Sequence, residues 1–270
     1  DLQTLLILYV SLIYRSFFFS STFSSHTLII TICQTNKIPI RPYFYFKSYP
    51  LVISGAAVII YQRIDQVMIG NMLNKTEVGY FATAAKFVDL IVFLPTVLVQ
   101  TVTPVLIRTK ENNPEAYEAQ KRRFVSITTW TAMIMSLTVS QLAYWLIMYT
   151  YGKEYAPAIP ILHIMAFKAV GMALSSSGGQ IIIMEGIQKW VFIRNILGCF
   201  ICILLNYILI PLYGSIGSAI VTLITVLFTE CLANIFIPCY HGIMKTQLYA
   251  LFMGWKELGY FQKILLKTKA

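Results

Sequence analysis

Charged residues are scarce in this 270-residue chain, since they make up 12% of it against roughly 25% in ordinary soluble domains. Hydrophobic residues make up 57%, and the mean hydropathy is +0.70. The 21 basic and 11 acidic residues are too few to cover a soluble fold of this size with a polar surface. The composition therefore argues strongly against a soluble enzyme and indicates a membrane protein.

The sequence also lacks the common motifs of catalysis and metal binding. No P-loop, G-x-S-x-G or H-E-x-x-H motif is present, so neither ATP hydrolysis nor protease chemistry has support. Cys199 and Cys202 form a C-x-x-C inside an apolar segment without a second ligand pair, which is a poor zinc or redox site. We therefore predict no catalytic residue, no metal site and no cofactor. The net charge of +10 indicates membrane topology rather than nucleic-acid binding.

Long apolar runs dominate the chain. A helix needs about 20 apolar residues to cross the roughly 30 Å hydrocarbon core. Six runs clearly reach this length, and a seventh, weaker run at 3–20 is interrupted by Arg15. The sequence predicts an all-α membrane protein, a polytopic helical bundle with about seven transmembrane helices. The six clear runs cover roughly 48–72, 78–106, 124–150, 157–184, 189–211 and 216–239.

The basic residues predict the orientation of these spans. When the connections are assigned to alternate sides, fourteen lysines and arginines collect on one side, and only Lys75 and Lys153 lie on the other. Cytoplasmic loops carry the excess of basic residues, so the hydrophilic segment 107–123 and the C-terminus are predicted to be cytoplasmic. Within that segment, Asn113 and Pro114 fit the N-cap and first position of a helix.

Both ends of the chain carry signals of their own. Residue 1 is Asp, and no signal peptide precedes the first apolar run, so we expect a piece of a longer protein. The segment 241–270 has five lysines among apolar residues at helical spacing. This pattern favours an amphipathic helix on the anionic inner leaflet, and a partly disordered, solvated tail is the alternative.

Several charged residues fall inside the predicted spans, where each costs about 2.5–3.5 kcal/mol and usually faces a bundle interior or a watery cavity. Arg63 and Asp65 are two residues apart, about 200° around a helix, so each needs its own partner from another helix. Lys86 and Asp89 are spaced i,i+3 and can neutralise one another.

Of three further charged positions, Glu230 and Arg194 have two interpretations each and Lys168 has one. Glu230 is a candidate protonation site or a hydrogen-bonded residue of the bundle interior. Arg194 lies near the cytoplasmic end, where its side chain can also snorkel to the interface, and Lys168 lies deeper and can line a cavity. The candidates for a substrate cavity are therefore Arg63, Asp65, Lys86, Asp89, Lys168, Arg194 and Glu230.

Two stretches carry a resemblance to a known family. Residues 48–107, from SYPLVISG to TPVLI, resemble the segment that opens the second half of Wzx-type polysaccharide flippases. Residues 206–222, NYILIPLYGSIGSAIVT, resemble the Asn-x-x-L-I-P-x-x-G-x-x-G pattern between the last two helices of those proteins. This larger superfamily includes the MATE drug exporters and the lipid II flippases. The resemblance covers about 48 to 240.

The resemblance implies a fold of two six-helix lobes that face each other across a central cavity. Residues 1–47 would be the last helix of the first lobe and the linker between the lobes, although 15–47 are less regular than that linker usually is. Residues 48–240 would be the six-helix C-terminal lobe, and 241–270 a basic amphipathic cytoplasmic tail. The N-terminal lobe of the same protein would be the missing partner.

The resemblance also implies a function, which is transport and not catalysis. The protein would move a polyprenyl-pyrophosphate-linked oligosaccharide across a bacterial or archaeal cytoplasmic membrane by alternating access, in O-antigen or capsule biosynthesis. A proton or sodium ion could drive the transport, and membrane lipids would surround the protein. The basic candidates Arg63, Lys86, Lys168 and Arg194 would attract the anionic pyrophosphate head of the substrate. The acidic candidates Asp65, Asp89 and Glu230 would balance charge or carry protons.

Two other functions compete with this interpretation. A MATE-type cation-coupled multidrug exporter should have an acidic cavity, whereas the deep charges here include at least as many basic residues. A membrane scaffold without transport activity would not need Arg63 and Asp65 buried on different faces of one helix.

Overall fold

The computed structural model describes residues 63–187, 190–232, 234 and 237–257, which all belong to one compact unit. Within these ranges the chain forms helices and short connections and no strand, so the predicted all-α class is confirmed. The helices are α1 (63–72), α2 (Lys75–Asn112), α3 (Pro114–Thr150), α4 (Ala158–Ala166), α5 (Lys168–Glu185), α6 (Val191–Leu227) and α7 (His241–Met253).

The start of α3 follows the predicted capping pattern. The side-chain oxygen of Asn113 accepts a hydrogen bond from the backbone N–H of Ala116 at 3.1 Å, and Pro114 is the first helical residue. Asn74 caps α2 in the same way, by accepting from the backbone N–H of Glu77 at 2.9 Å. These caps satisfy backbone donors that the first helical turn leaves unpaired.

Four helical segments in the described part of the chain are long and apolar enough to cross a membrane. They are Lys75–Asn112, Pro114–Thr150, Ala158–Glu185 and Ile193–Glu230. The third combines α4 and α5, which a turn at Phe167 separates. The protein is therefore a multi-pass membrane protein. Only the last ten residues of the predicted span 48–72 are described, and 1–47 lie outside the described residues.

Helix α6 contains a reversal at Gly214. This residue has φ 63° and ψ −144°, a conformation that glycine adopts far more readily than residues with a side chain. Residues at similar distances before and after Gly214 in the sequence are neighbours in space. Asn206 and Thr222 bind the same carboxylate, and Gly198 faces the methyl group of Thr229. The two parts of α6 are therefore antiparallel, and we name them α6a (191–213) and α6b (215–227).

The hairpin accounts for two separate predicted spans, 189–211 and 216–239. Its first part ends at the Gly214 turn, and its second part continues into a π-helical turn at Phe228–Leu232. Glycine is also needed at position 217, since a Cβ there would collide with the backbone carbonyl of Leu209. The last two glycines of the Asn-x-x-L-I-P-x-x-G-x-x-G pattern are thus required by the tight turn between α6a and α6b.

Helix α7 packs at the end of the bundle that carries the basic segment 107–123. The indole N–H of Trp130 donates to the carbonyl of Ala250 at 2.8 Å. Nearby, the guanidinium of Arg123 pairs with the carboxylate of Glu257 at 3.2 Å. The first part of the predicted tail is therefore a helix docked on α3, and residues 258–270 lie outside the described part of the chain.

Candidate functional site

The carboxylate of Asp65 is the centre of a buried polar cluster between α1 and the α6 hairpin. Asn206 Nδ2 donates to Asp65 Oδ1 at 2.6 Å, and Thr222 Oγ1 donates to Asp65 Oδ2 at 2.8 Å. The thiol of Cys202 lies 3.4 Å from Oδ1. The side chain of Asp65 is 1% exposed, so these contacts replace the hydration that burial removes.

The α6 hairpin supplies this cluster because each of its parts presents polar residues toward α1. On α6a, Cys202 and Asn206 are one turn apart. On α6b and the π-helical turn that follows it, four buried hydroxyl residues have i, i+4, i+7 and i+11 spacing, which is the spacing of one helix face: Ser218, Thr222, Thr225 and Thr229. The Gly214 reversal then brings the two polar faces to the same carboxylate.

The cluster lies about two helical turns away from the Gly214 turn that ends the hairpin. Asn206 and Thr222 are each eight residues from the Gly214 turn, or about 12 Å along a helix at 1.5 Å per residue. Asp65 precedes Lys75 by ten residues, which corresponds to about 15 Å. A hydrocarbon core about 30 Å thick with its edge at the Gly214 turn and Lys75 would therefore have this carboxylate at about half its depth.

Three other predicted charged residues form an electrostatic network with Asp65. The carboxylate of Asp89 on α2 interacts electrostatically with Lys168 and Arg63, and Lys168 also interacts with the carboxylate of Asp65. Lys168 occupies this place because α5 begins directly after the turn at Phe167, in the middle of the span. Four of the seven predicted residues, Arg63, Asp65, Asp89 and Lys168, are thus brought together.

The predicted neutralisation of Asp89 by Lys86 is not seen. Both side chains are exposed, and the ion pairs of the described residues do not include one between them. The i,i+3 spacing only makes such a pair possible, and the tertiary fold instead brings the cations of α1 and α5 near Asp89. Lys86 therefore extends from the surface of the described bundle.

Arg194 and Glu230 form a separate site. An Arg194 terminal guanidinium nitrogen lies 3.2 Å from Glu230 Oε2, and the two side chains are 6% and 5% exposed. The pair joins α6a to the π-helical turn after α6b, nearer to the basic end of the bundle than Asp65 is. Arg194 therefore does not snorkel to the interface, because its side chain is buried and paired within the hairpin, and its role in a substrate cavity stays a prediction.

The exposed surface of the bundle differs between its sides. The outward face of α6a is uniformly apolar and includes Ile196, Phe200 and Leu204, as expected for a surface in contact with lipid. Among apolar residues such as Leu90 and Leu94, the exposed surface of α1 and α2 also carries polar groups. These exposed residues are Arg63, Lys86, Asp89 and Gln100. Charged side chains within spans rarely face lipid, so this second face requires water or another protein segment.

The partners of Asp65 are neutral, so charge within a span does not identify them. Asn206 and Thr222 were not predicted as site residues, although Asn206 opens the pattern at 206–222. The available signal was the polar periodicity of residues 218–229 in an otherwise apolar segment.

Comparisons with known proteins agree with this architecture. A family model described as polysaccharide biosynthesis protein matches residues 4–160. The capsular polysaccharide biosynthesis protein CapF of Staphylococcus aureus is 24% identical over 222 residues, which cover 81% of this chain and 55% of CapF. The chain thus spans about half the length of that relative.

Two solved structures share the fold. The lipid II flippase MurJ, in an inward closed conformation, has a TM-score of 0.61 and 19% identity, covering 83% of this chain and 51% of MurJ. A multidrug resistance transporter of the MATE family and MOP superfamily, in an outward-facing conformation, has a TM-score of 0.55 and 18% identity. That comparison covers 78% of this chain and 51% of the transporter. At these identities, the likeness shows the fold alone.

Proposed function

Because the chain belongs to the polysaccharide biosynthesis protein family, we propose that it forms the second lobe of a Wzx-type flippase. The complete protein moves a polyprenyl-pyrophosphate-linked oligosaccharide across the bacterial or archaeal cytoplasmic membrane for O-antigen or capsule synthesis. It works by alternating access and not by catalysis. Within the structure, the observation that carries this proposal is the polar face of α1 and α2, whose exposed charges lie within predicted membrane spans.

The polar face is where an N-terminal lobe would complete the cavity. The described bundle leaves Arg63, Lys86 and Asp89 exposed, and a helix surface of this kind is unfavourable in lipid. The match to this chain covers 55% of CapF and 51% of MurJ, so a little under half of each extends beyond it. A facing lobe of similar size would exclude lipid from these charges and leave an aqueous path between the lobes.

The charges on this face suit an anionic substrate. Arg63 and Lys86 are exposed, and Lys168 is half-buried beside Asp89. The other acidic candidates, Asp65 and Glu230, are buried and bound to partners inside the bundle. The cavity wall therefore has more accessible positive than negative charge, and it would attract the pyrophosphate group.

Asp65 is the proposed position of the coupling ion. Its buried carboxylate is bound by Asn206 and Thr222 and lies in electrostatic range of Lys168. The side-chain oxygens of Asn206 and Ser218 are buried and lack a hydrogen-bond partner within the described residues. A carboxylate among such oxygens can take up a proton or a sodium ion, as ionisable groups on ion pathways in membranes do.

The orientation follows from the basic residues. The segment 107–123, α7 and the C-terminus are placed on the cytoplasmic side, where lysines and arginines are enriched. In this orientation the Gly214 turn faces outward. Arg194 and Glu230 serve to close the α6 hairpin near its cytoplasmic end.

The proposal is tested by complementation of a flippase-deficient strain with the full-length gene, with surface polysaccharide as the readout. Arg63→Ala and Lys86→Ala should abolish or strongly reduce surface polysaccharide at normal protein levels, because each removes a cation from the cavity wall. Arg122→Ala is the matched control, since Arg122 is an exposed arginine outside that face. Normal export by both cavity variants would contradict the proposal.

A MATE-type cation-coupled multidrug exporter is the second candidate, favoured by the shared fold. The same strains can be tested for susceptibility to cationic drugs. Drug resistance that depends on the gene, without any effect on surface polysaccharide, would favour the exporter.

A further inference from the structure

The outer face of α7 has an ordered distribution of apolar and basic side chains. Leu248 and Phe252 on α7, and Trp255 directly after the turn at Gly254, are 38%, 76% and 56% exposed. Because Gly254 keeps a right-handed helical backbone, a rotation of about 100° per residue puts the three within an arc of about 60°. Lys245 and Lys256 are also exposed and occupy the adjoining arc of about 40°. The outer face thus has an apolar strip with a basic edge.

The inner face of α7 is fixed to the bundle. Ile243, Gln247 and Ala250 are buried, and Gln247 Oε1 accepts a hydrogen bond from Asn234 at 3.1 Å. Because the inner face is held in this way, the helix cannot turn its apolar strip inward. The strip must be covered by something outside the bundle.

The net positive charge of segment 241–270 determines what kind of surface can cover the apolar strip. The segment 241–270 contains five lysines and a single acidic residue, Glu257, whose carboxylate is paired with Arg123. The ammonium group of Lys256 lies 5.9 Å from the centre of the Trp255 ring, so cation and indole are at the same level. A second copy of this face would be repelled by its like charge, whereas an anionic lipid surface complements it.

We propose that the outer face of α7 is a docking surface for anionic phospholipid headgroups. The apolar strip enters the boundary between headgroups and acyl chains, as in interfacial amphipathic helices. Lys245 and Lys256 contact the phosphates at the basic edge. Since Asn234 Nδ2 also donates to the Glu230 carbonyl at 2.6 Å, lipid bound to α7 stabilises the end of the last span.

Native mass spectrometry of the detergent-purified full-length protein tests this surface. Phosphatidylglycerol and phosphatidylcholine are titrated in parallel, and the bound lipid is counted at each concentration. The wild type should bind phosphatidylglycerol more tightly, and K245Q/K256Q should lose up to about 30-fold in that affinity, since each lysine near an anionic surface contributes up to about fivefold. The variant K245R/K256R should retain the preference.

K75Q/K153Q is the matched control, because it removes two exposed lysines from the opposite end of the bundle. It should bind phosphatidylglycerol like the wild type. An equal loss in this control, or no preference for phosphatidylglycerol in the wild type, would overturn the proposal. The same spectra report oligomeric state, and a dimer that K245Q/K256Q disrupts would assign the surface to a second copy instead.

Discussion

The buried ion pair between Arg194 and Glu230 gives the sharpest test of the structure. Its side chains are 6% and 5% exposed and lie 3.2 Å apart. Removing one partner leaves the other charge buried without compensation, which costs about 3–5 kcal/mol. Arg194→Met and Glu230→Met should therefore each lower the free energy of unfolding by about that amount.

Removing both partners should cost much less. Replacement of a buried ion pair by apolar residues of similar size is often neutral or stabilising, so the double variant should be more stable than either single one. The free energy of unfolding can be measured in mixed micelles with sodium dodecyl sulfate as the denaturant, followed by tryptophan fluorescence. A double-mutant cycle then gives the coupling between the two residues.

The pair between Arg123 and Glu257 serves as the internal control. It has nearly the same separation, 3.2 Å, but its side chains are 40% and 21% exposed, so Arg123→Met should cost less than about 1 kcal/mol. The reasoning fails if the Arg194 and Glu230 variants lose no more stability than this control, or if their losses simply add.

The double variant also separates two roles of the pair. If Arg194 and Glu230 only close the α6 hairpin, the stable double variant should export surface polysaccharide normally. Loss of export at wild-type stability would instead show that the transport cycle requires their charges.

Three further predictions concern the packing of the spans and use the same unfolding assay. Gly214→Ala should cost about 1–3 kcal/mol because of its φ of 63°, and a loss below about 0.5 kcal/mol would contradict the assigned reversal. Thr222→Val should cost about 1.5–3 kcal/mol, since it removes a hydrogen bond to the buried carboxylate of Asp65; unchanged stability would exclude that bond. Gly198→Ala should cost about 1–3 kcal/mol by overpacking, whereas Gly179→Ala, with open space at its Cβ, should be neutral or slightly stabilising.

Much of the fold could be predicted because its signals are local. A span is recognised by about 20 consecutive apolar residues, and the cap at Asn113 by two adjacent residues. Gly214 and Gly217 lie in a recognisable pattern between two predicted spans, so the connection where the chain reverses could also be located from sequence. The i,i+3 pair of Lys86 and Asp89 shows the limit of this reasoning, because spacing permits a contact without requiring it.

The candidate site could be predicted only in part, because it is assembled by contacts between segments that are distant in the sequence. The charges of Arg63, Asp65, Asp89 and Lys168 could be selected from sequence because charges are costly within spans. Their grouping could not, since it depends on how α1, α2 and α5 pack. The neutral partners of Asp65 were missed for the same reason.

The sequence by itself determined that this is an all-α membrane protein, where most spans lie and which charges are out of place in them. These properties follow from the composition of short segments and the thickness of a bilayer. Only the tertiary structure decided which partners those charges have. Asn206 and Thr222 reach Asp65 from 141 and 157 residues away, and the Gly214 reversal brings Arg194 to Glu230. Such contacts depend on the arrangement of whole helices, which no local pattern specifies.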